Sequence, residues 1–264
     1  MKEMITSLQN PKVKDLVRFR NKSGKKSENT VLIEDEREIL RAIDAGIEFF
    51  EVYVCEELTG LAGKDTLNEV TKRTPAVFYL SKAVFEKAAY KSDPFGMIIK
   101  AEFPAKKLKD ISDSEDFILV AERIEKPGNL GALIRTADGA GINTIILADK
   151  ITDYRNPNVI RASTGTIFSK NIIEASSYEA ITYLKSKKIQ IISADPYGDT
   201  VYSNADLSGK TAVVVGSEAF GLSASMKKNA DVLVSIPMKG VADSLNVNQA
   251  ATIILYEALR QRSR

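Results

Sequence analysis

Five short apolar runs constrain the second half of this chain more than any other feature: FILVAE (117–122), TIILA (144–148), QIISA (190–194), AVVVG (212–216) and VLVSIP (232–237). Runs that are apolar at consecutive positions, not alternate ones, suit strands covered on both faces. Helical segments separate them, as the crossovers of a parallel sheet require. The last segment, NVNQAATIILYEALRQR (246–262), is amphipathic. Val247, Ala250, Ala251, Ile254 and Ala258 form its core face, with Leu255 at the margin. Its terminal arginines suit the negative end of the helix dipole.

The first hundred residues are also α/β. VLIE (31–34), EVYVC (51–55), AVFYL (76–80) and GMIIKAEF (96–103) read as strands, with helical stretches among them. DEREILRAIDAG (35–46) predicts a helix whose apolar face is Ile39, Leu40, Ala42 and Ile43, stopped by Gly46. This spacing predicts a small α/β sandwich. Residues 104–116, PAKKLKDISDSED, are polar without a sustained apolar period and read as a linker, which places a boundary near 110. Two domains are expected, 1–109 and 110–264, and 264 residues are enough for both.

Composition removes several classes of chemistry. The chain has no histidine and one cysteine, Cys55. An imidazole base, a Ser-His-Asp triad, an intrachain disulfide and a cysteine-cluster metal site are therefore excluded. No stretch has the length of apolar residues that crosses a bilayer, and MKEMITSLQNPK lacks the apolar centre of a secretory signal. The cytoplasm is the expected compartment, with no membrane partner and no metal.

Net charge is only +2, yet residues 1–30 hold eight Lys/Arg against three acids. That local excess of five leaves the remainder at −3. Lys12, Lys14, Arg18, Arg20, Lys22, Lys25 and Lys26 thus make one end basic, and two readings stand: a contact for a polyanion or a solvated arm.

Three loops follow predicted strands, at the sheet edge where open α/β proteins bind ligands. In ERIEKPGNLGALIRTADGAG (122–141), Pro127-Gly128-Asn129 forces a turn and a helix is expected to begin near Gly131, placing Arg135 close to its start; by itself this loop reads as a plain turn with a surface arginine or as an anion site. In VVVGSEAFGLS (213–223), Gly216 and Gly221 flank Ser217-Glu218; no GxGxxG or GxxxxGKS pattern is present. In SIPMKGVADSLNVNQA (235–250), Ser244-Leu245-Asn246 opens the last helix, and Ser244 reads equally as a site residue or as that helix's N-cap.

Taken together, N-x-G-x-x-R-T-A, G-x-E-x-x-G-L and I-P-M-x-G…S-L-N-V resemble, in order and spacing, the three signature motifs of the SpoU (TrmH-like) RNA 2′-O-ribose methyltransferases. The resemblance spans roughly 116–262, and NPNVIRASTGTIF (156–168) resembles the segment between the family's first two motifs. It implies an α/β fold with a deep trefoil knot, S-adenosylmethionine as cofactor, an RNA substrate and a homodimer whose clefts form between subunits. Gly216, Ile236 and Leu245 would line the cofactor pocket; Asn129, Arg135, Glu218, Ser244 and Asn246 would surround the ribose. Arg135 would clamp a phosphate and orient the hydroxyl, with transient deprotonation as the other possibility.

Less specifically, the first domain resembles the RNA substrate-binding domain of rRNA-modifying members, which is similar in fold to ribosomal proteins that bind kinked RNA. That points to large-subunit rRNA. Asp35 stands where glycine is expected, and Asn248-Gln249 where small or aliphatic residues are. Three other readings remain at this point: a base methyltransferase of the same superfamily, an inactive RNA-binding homologue, and an unrelated nucleotide-binding enzyme.

Overall fold

The computed structural model describes residues 4–21, 29–61 and 63–263. The chain divides into two compact units: Met1–Pro104 with Asp153–Ser169, and Ala105–Thr152 with Lys170–Arg264. The division therefore cuts the chain three times, not once near 110. Residues following Pro104 are less of a linker than their polarity implies, because Ile111 is buried in the core of the second unit.

The first unit runs β1 (Met4–Ile5), α1 (Pro11–Asn21), β2 (Thr30–Ile33), α2 (Glu36–Asp44), β3 (Phe49–Val54), α3 (Glu56–Thr59), α4 (Lys64–Thr71), β4 (Val77–Leu80), α5 (Lys82–Ala88) and β5 (Met97–Glu102). Its sheet has the order β1-β4-β3-β5-β2 and is mixed, with β5 antiparallel to both β2 and β3. Val13 and Leu16 of α1 pack with Val84 and Phe85 of α5 over Leu32, Tyr53 and Ile98.

The expected apolar face of α2 needs one correction. Ile39 and Ala42 are buried, but Leu40 is 41 % exposed, and Glu38 is buried in its place. At 100° per residue, 38 and 42 share a face that 40 cannot. Asp35 is the N-cap: its side chain accepts the Arg37 N–H at 3.2 Å and pairs with Lys91 at 2.7 Å.

The second unit starts with β6 (Phe117–Glu122), α6 (Pro127–Gly139) and β7 (Thr144–Ala148). The chain then leaves for Asp153–Ser169, which carries α7 (Pro157–Ala162) and belongs to the first unit. Its rings explain that allegiance: Tyr154 and Phe168 both pack edge-on against Phe103, at 5.5 and 5.3 Å between centroids. The second unit resumes with β8 (Asn171–Ala175), α8 (Ser177–Ser186), β9 (Gln190–Ala194), β10 (Thr200–Val201), β11 (Thr211–Val215), α9 (Ala224–Asn229), β12 (Val232–Ser235) and α10 (Val247–Arg262).

Its seven strands run in the order β10-β12-β9-β11-β6-β7-β8, every pairing parallel. All residues of β6, β7 and β11 are buried, as consecutive apolar runs require. Sequence reasoning missed the edge strands β8 and β10: half-buried Asn171 and Glu174 interrupt the apolar run of the first, and the second is only two residues long. Among the described residues no helix is long and apolar enough to cross a membrane.

Two helix starts matter for the site, and the first differs from expectation. Helix α6 opens at Pro127, not near Gly131. Proline's fixed φ favours the first helical position, and its missing N–H is no loss there. Arg135 is consequently the ninth of thirteen residues, about 12 Å along the axis from Pro127, and does not join the free amides of the first turn. The N-cap of α10 is Asn246, which accepts the Asn248 N–H at 3.0 Å, so Ser244 lies outside the helix. Asn248 in turn accepts the Thr136 hydroxyl at 2.9 Å, binding α6 to α10. That is the packing use of this departure from the family pattern; Gln249 is exposed.

Candidate active site

The loops after β6 and β11 adjoin because those strands pair, and the loop after β12 comes from the next strand but one. Each is fixed locally. In the β11 loop, Gly221 has φ +64° and its N–H donates to the Ser217 carbonyl at 2.9 Å. The Ser217 hydroxyl donates to Glu125 Oε1 at 2.7 Å and accepts the N–H groups of Ala219 and Phe220 at 3.2 Å each. Gly216 must be glycine for steric reasons: a Cβ there would lie 2.5 Å from the Gly221 carbonyl carbon and 2.6 Å from the Leu222 nitrogen.

Side chains then join the three loops. Asn246 Nδ2 donates to Glu218 Oε1 at 2.5 Å and stands 3.5 Å from Asn129 Oδ1, at the limit of hydrogen bonding. Glu218 Oε2 pairs with Lys126 Nζ at 2.7 Å, and the Glu218 side chain is 21 % exposed. Of the five residues expected around the ribose, Asn129, Glu218 and Asn246 thus form one connected group. Ser244 lines the adjoining cleft together with Glu218. Arg135 does neither: it is exposed on α6, outside the cleft lining.

All three residues expected at the cofactor pocket, Gly216, Ile236 and Leu245, line this one cleft, which is continuous with solvent. Val215, Val234, Val247 and Ile254 supply apolar surface; Asp195, Glu218 and Asp243 bring carboxylates. Apolar walls beside carboxylates suit an adenosine bearing a cationic sulfonium, and the close Gly216–Gly221 contact leaves backbone at the surface there. The residues present fit S-adenosylmethionine. Among the described residues no group of three or more His, Cys, Asp or Glu is placed to hold a metal ion.

Sequence reasoning missed several contributors. Glu122 is fully buried and accepts from Ser177 Oγ (2.6 Å), Ser223 Oγ (2.7 Å) and Ser223 N–H (2.8 Å), binding the end of β6 to the starts of α8 and α9. A carboxylate ending an apolar run was its only sequence signal. Lys126, Tyr197 and Phe220 gave none, because their roles depend on which loops meet.

The basic end is less uniformly available than its composition implies. Lys12 is bound to Glu51 and lies over the Phe78 ring, and Arg18 pairs with Asp15 at 2.6 Å. Arg20 donates to the carbonyls of Lys87 (3.1 Å) and Ala89 (2.7 Å), at the C-terminus of α5. Lys14 is exposed; Lys22, Lys25 and Lys26 lie outside the described residues.

The loops after β9, β11 and β12 of the parallel sheet thus converge on one cleft, and the start of α6 adjoins it through Asn129. The chain belongs to the SpoU rRNA Methylase family, which matches residues 116–256; an MRM3-like substrate binding domain matches residues 10–98. Among its relatives is the 23S rRNA (uridine(2479)-2′-O)-methyltransferase of Streptomyces viridochromogenes, 34% identical over 73% of this chain and 69% of that protein. Another is the 23S rRNA (guanosine(2553)-2′-O)-methyltransferase RlmP of Bacillus subtilis, 27% identical over 96% of this chain and 98% of that one. The crystal structure of an AdoMet-bound rRNA methyltransferase from Sinorhizobium meliloti superposes with a TM-score of 0.88 at 28% identity, covering 98% of this chain and 97% of that one.

Proposed function

We propose that this protein transfers a methyl group from S-adenosylmethionine to a ribose 2′-hydroxyl of large-subunit ribosomal RNA, as a homodimer in the cytoplasm. The observation that carries the reading is the Asn129–Asn246–Glu218 group, which joins all three signature loops beside one cleft. In this reading the first compact unit binds RNA, with a fold like that of ribosomal proteins on kinked RNA, and the second forms the methyltransferase domain. A trefoil knot in the latter is supported by the chain path: β12 lies beyond β9 from β11, yet α10 returns to pack on α6 and β11.

When bound, S-adenosylmethionine supplies a methyl group on a sulfonium, whose departure as a neutral thioether needs neither metal nor acid. Gly216, Ile236 and Leu245 hold the cofactor, chiefly through backbone groups. Glu218 has both carboxylate oxygens engaged, by Asn246 and Lys126, so it fixes the loops and orients Asn246 toward the ribose. Asn129 and Ser244 complete the polar wall. Arg135 clamps a phosphate next to the target ribose and so aligns the 2′-oxygen for in-line attack. Being exposed and outside its own cleft, it serves the cleft of the partner subunit, which is what requires a dimer.

Incubating the purified protein with radiolabelled S-adenosylmethionine and in vitro transcribed 23S rRNA, then digesting the RNA, should yield one labelled 2′-O-methylnucleoside. A base-methylated product would establish the rival reading, and cofactor binding without transfer to any RNA would leave only an inactive homologue.

Lys12, Lys14, Arg18, Arg20, Lys22, Lys25 and Lys26 are proposed to give the RNA affinity its salt dependence. Changing Lys14, Lys22, Lys25 and Lys26 to Gln should make the slope of log affinity against log salt shallower by about 3. S-adenosylmethionine affinity should stay constant. An unchanged slope would identify these residues as a solvated arm.

A further inference from the structure

Two aromatic rings stand almost fully exposed at the rim of the cleft. Tyr197, in the turn after β9, is 86 % exposed; Phe220, in the turn after β11, is 77 % exposed. Both line the cleft that Glu218 and Ser244 also line.

Neither turn is loose. Asp195 accepts the Tyr197 N–H at 2.9 Å, its carbonyl accepts the Gly198 N–H at 3.0 Å, and its other carboxylate oxygen pairs with Lys227 at 2.5 Å. Gly198 is pressed so close to β12 that a Cβ would come within 2.7 Å of the Leu233 carbonyl oxygen. The Phe220 N–H is held by Ser217, and Gly221 closes that turn. Backbone is therefore fixed at both positions while the rings face solvent. The turns themselves do not require rings: G-x-E-x-x-G-L leaves position 220 open, and Tyr197 makes its turn contact through its backbone.

Large apolar side chains on fixed backbone, repeated at two rim positions of one cleft, match a flat and partly apolar ligand. A ribose presented to Glu218 and Ser244 brings such a ligand with it, because every ribose carries a base. We propose that Tyr197 and Phe220 form a stacking site for an unstacked nucleobase of the RNA strand entering the cleft. The inference rests on the functional reading above. Stacking on aromatic side chains is how unpaired RNA bases are commonly held, and it accepts any base because each has a π-face. That tolerance agrees with relatives that act on a uridine and a guanosine.

The test is steady-state methylation of in vitro transcribed 23S rRNA, alongside gel-shift affinities for the same RNA. Tyr197→Ala and Phe220→Ala should each lower kcat/KM and RNA affinity about tenfold, through KM, with cofactor affinity by calorimetry unchanged. Tyr197→Phe and Phe220→Tyr keep a ring and should restore both; Tyr197→Leu and Phe220→Leu keep apolar bulk alone and should not. Wild-type values in the alanine variants, or full rescue by leucine, overturn the proposal. It also fails if cofactor affinity falls by the same factor, which would place the rings against adenosine, or if sedimentation shows altered subunit assembly. A wild-type protein that binds RNA without methylating it would bring down the functional reading instead, and the gel shifts would still decide the stacking.

Discussion

Arg135→Ala is expected to lower single-turnover methyl transfer by about a hundredfold or more, with S-adenosylmethionine affinity unchanged. The guanidinium is exposed and absent from the cleft lining, so its removal leaves both the fold and the cofactor pocket intact. Arg135→Lys separates charge from geometry. Lysine keeps the positive charge but not the planar fork that holds two phosphate oxygens at once. An orienting role leaves the lysine variant nearly inactive; a purely electrostatic one leaves it substantially active.

Mixed dimers locate the residue. Arg135→Ala protomers combined with Glu218→Ala protomers should recover about a quarter of wild-type activity if Arg135 acts on the partner's cleft, since half the dimers are mixed and each has one intact site. No recovery would place Arg135 on its own subunit's site. Near-wild-type rates in Arg135→Ala would remove it from the mechanism altogether. Because the chain has no histidine, the wild-type rate should also rise smoothly toward alkaline pH without a plateau set by an imidazole.

Gly216→Ala is expected to reduce S-adenosylmethionine affinity by about a hundredfold and to destabilise the protein by about 1–3 kcal/mol. A single methyl group has this reach because its contacts would be backbone atoms, 2.5–2.6 Å away in Gly221 and Leu222. Those atoms belong to a turn already held by Ser217, so relief must come from moving the loop that lines the cleft. Gly209→Ala is the control: a Cβ there meets nothing within 4 Å. Calorimetry and thermal unfolding of the full chain measure both effects. The full chain is needed because Asp153–Ser169, drawn from between the motifs, belongs to the first compact unit. Wild-type cofactor affinity in Gly216→Ala would show that this loop does not shape the pocket.

Strand runs were legible in the sequence because burial on both faces leaves a local mark. FILVAE, TIILA and AVVVG became fully buried parallel strands, whereas the edge strands β8 and β10 left too weak a mark to be found. The motifs, likewise, are runs of neighbours, and their order and spacing carry the resemblance to the family. Helix starts were harder. Pro127 and Asn246 each prevailed over a nearby alternative, and the first of these choices put Arg135 two turns away from the amides it was expected to join.

The sequence by itself determined the sheet-forming segments, the family and the absence of imidazole chemistry, since each is written in composition or in residues close together along the chain. Only the tertiary structure decided that Lys126 and Asn246 share the carboxylate of Glu218, that Arg20 lies against the end of α5, and that Tyr197 and Phe220 reach the same rim. Those partners lie 23 to 92 positions apart, and no local periodicity encodes which loops a parallel sheet will bring side by side. Strand order sets that, and strand order is fixed by the packing of the whole sheet.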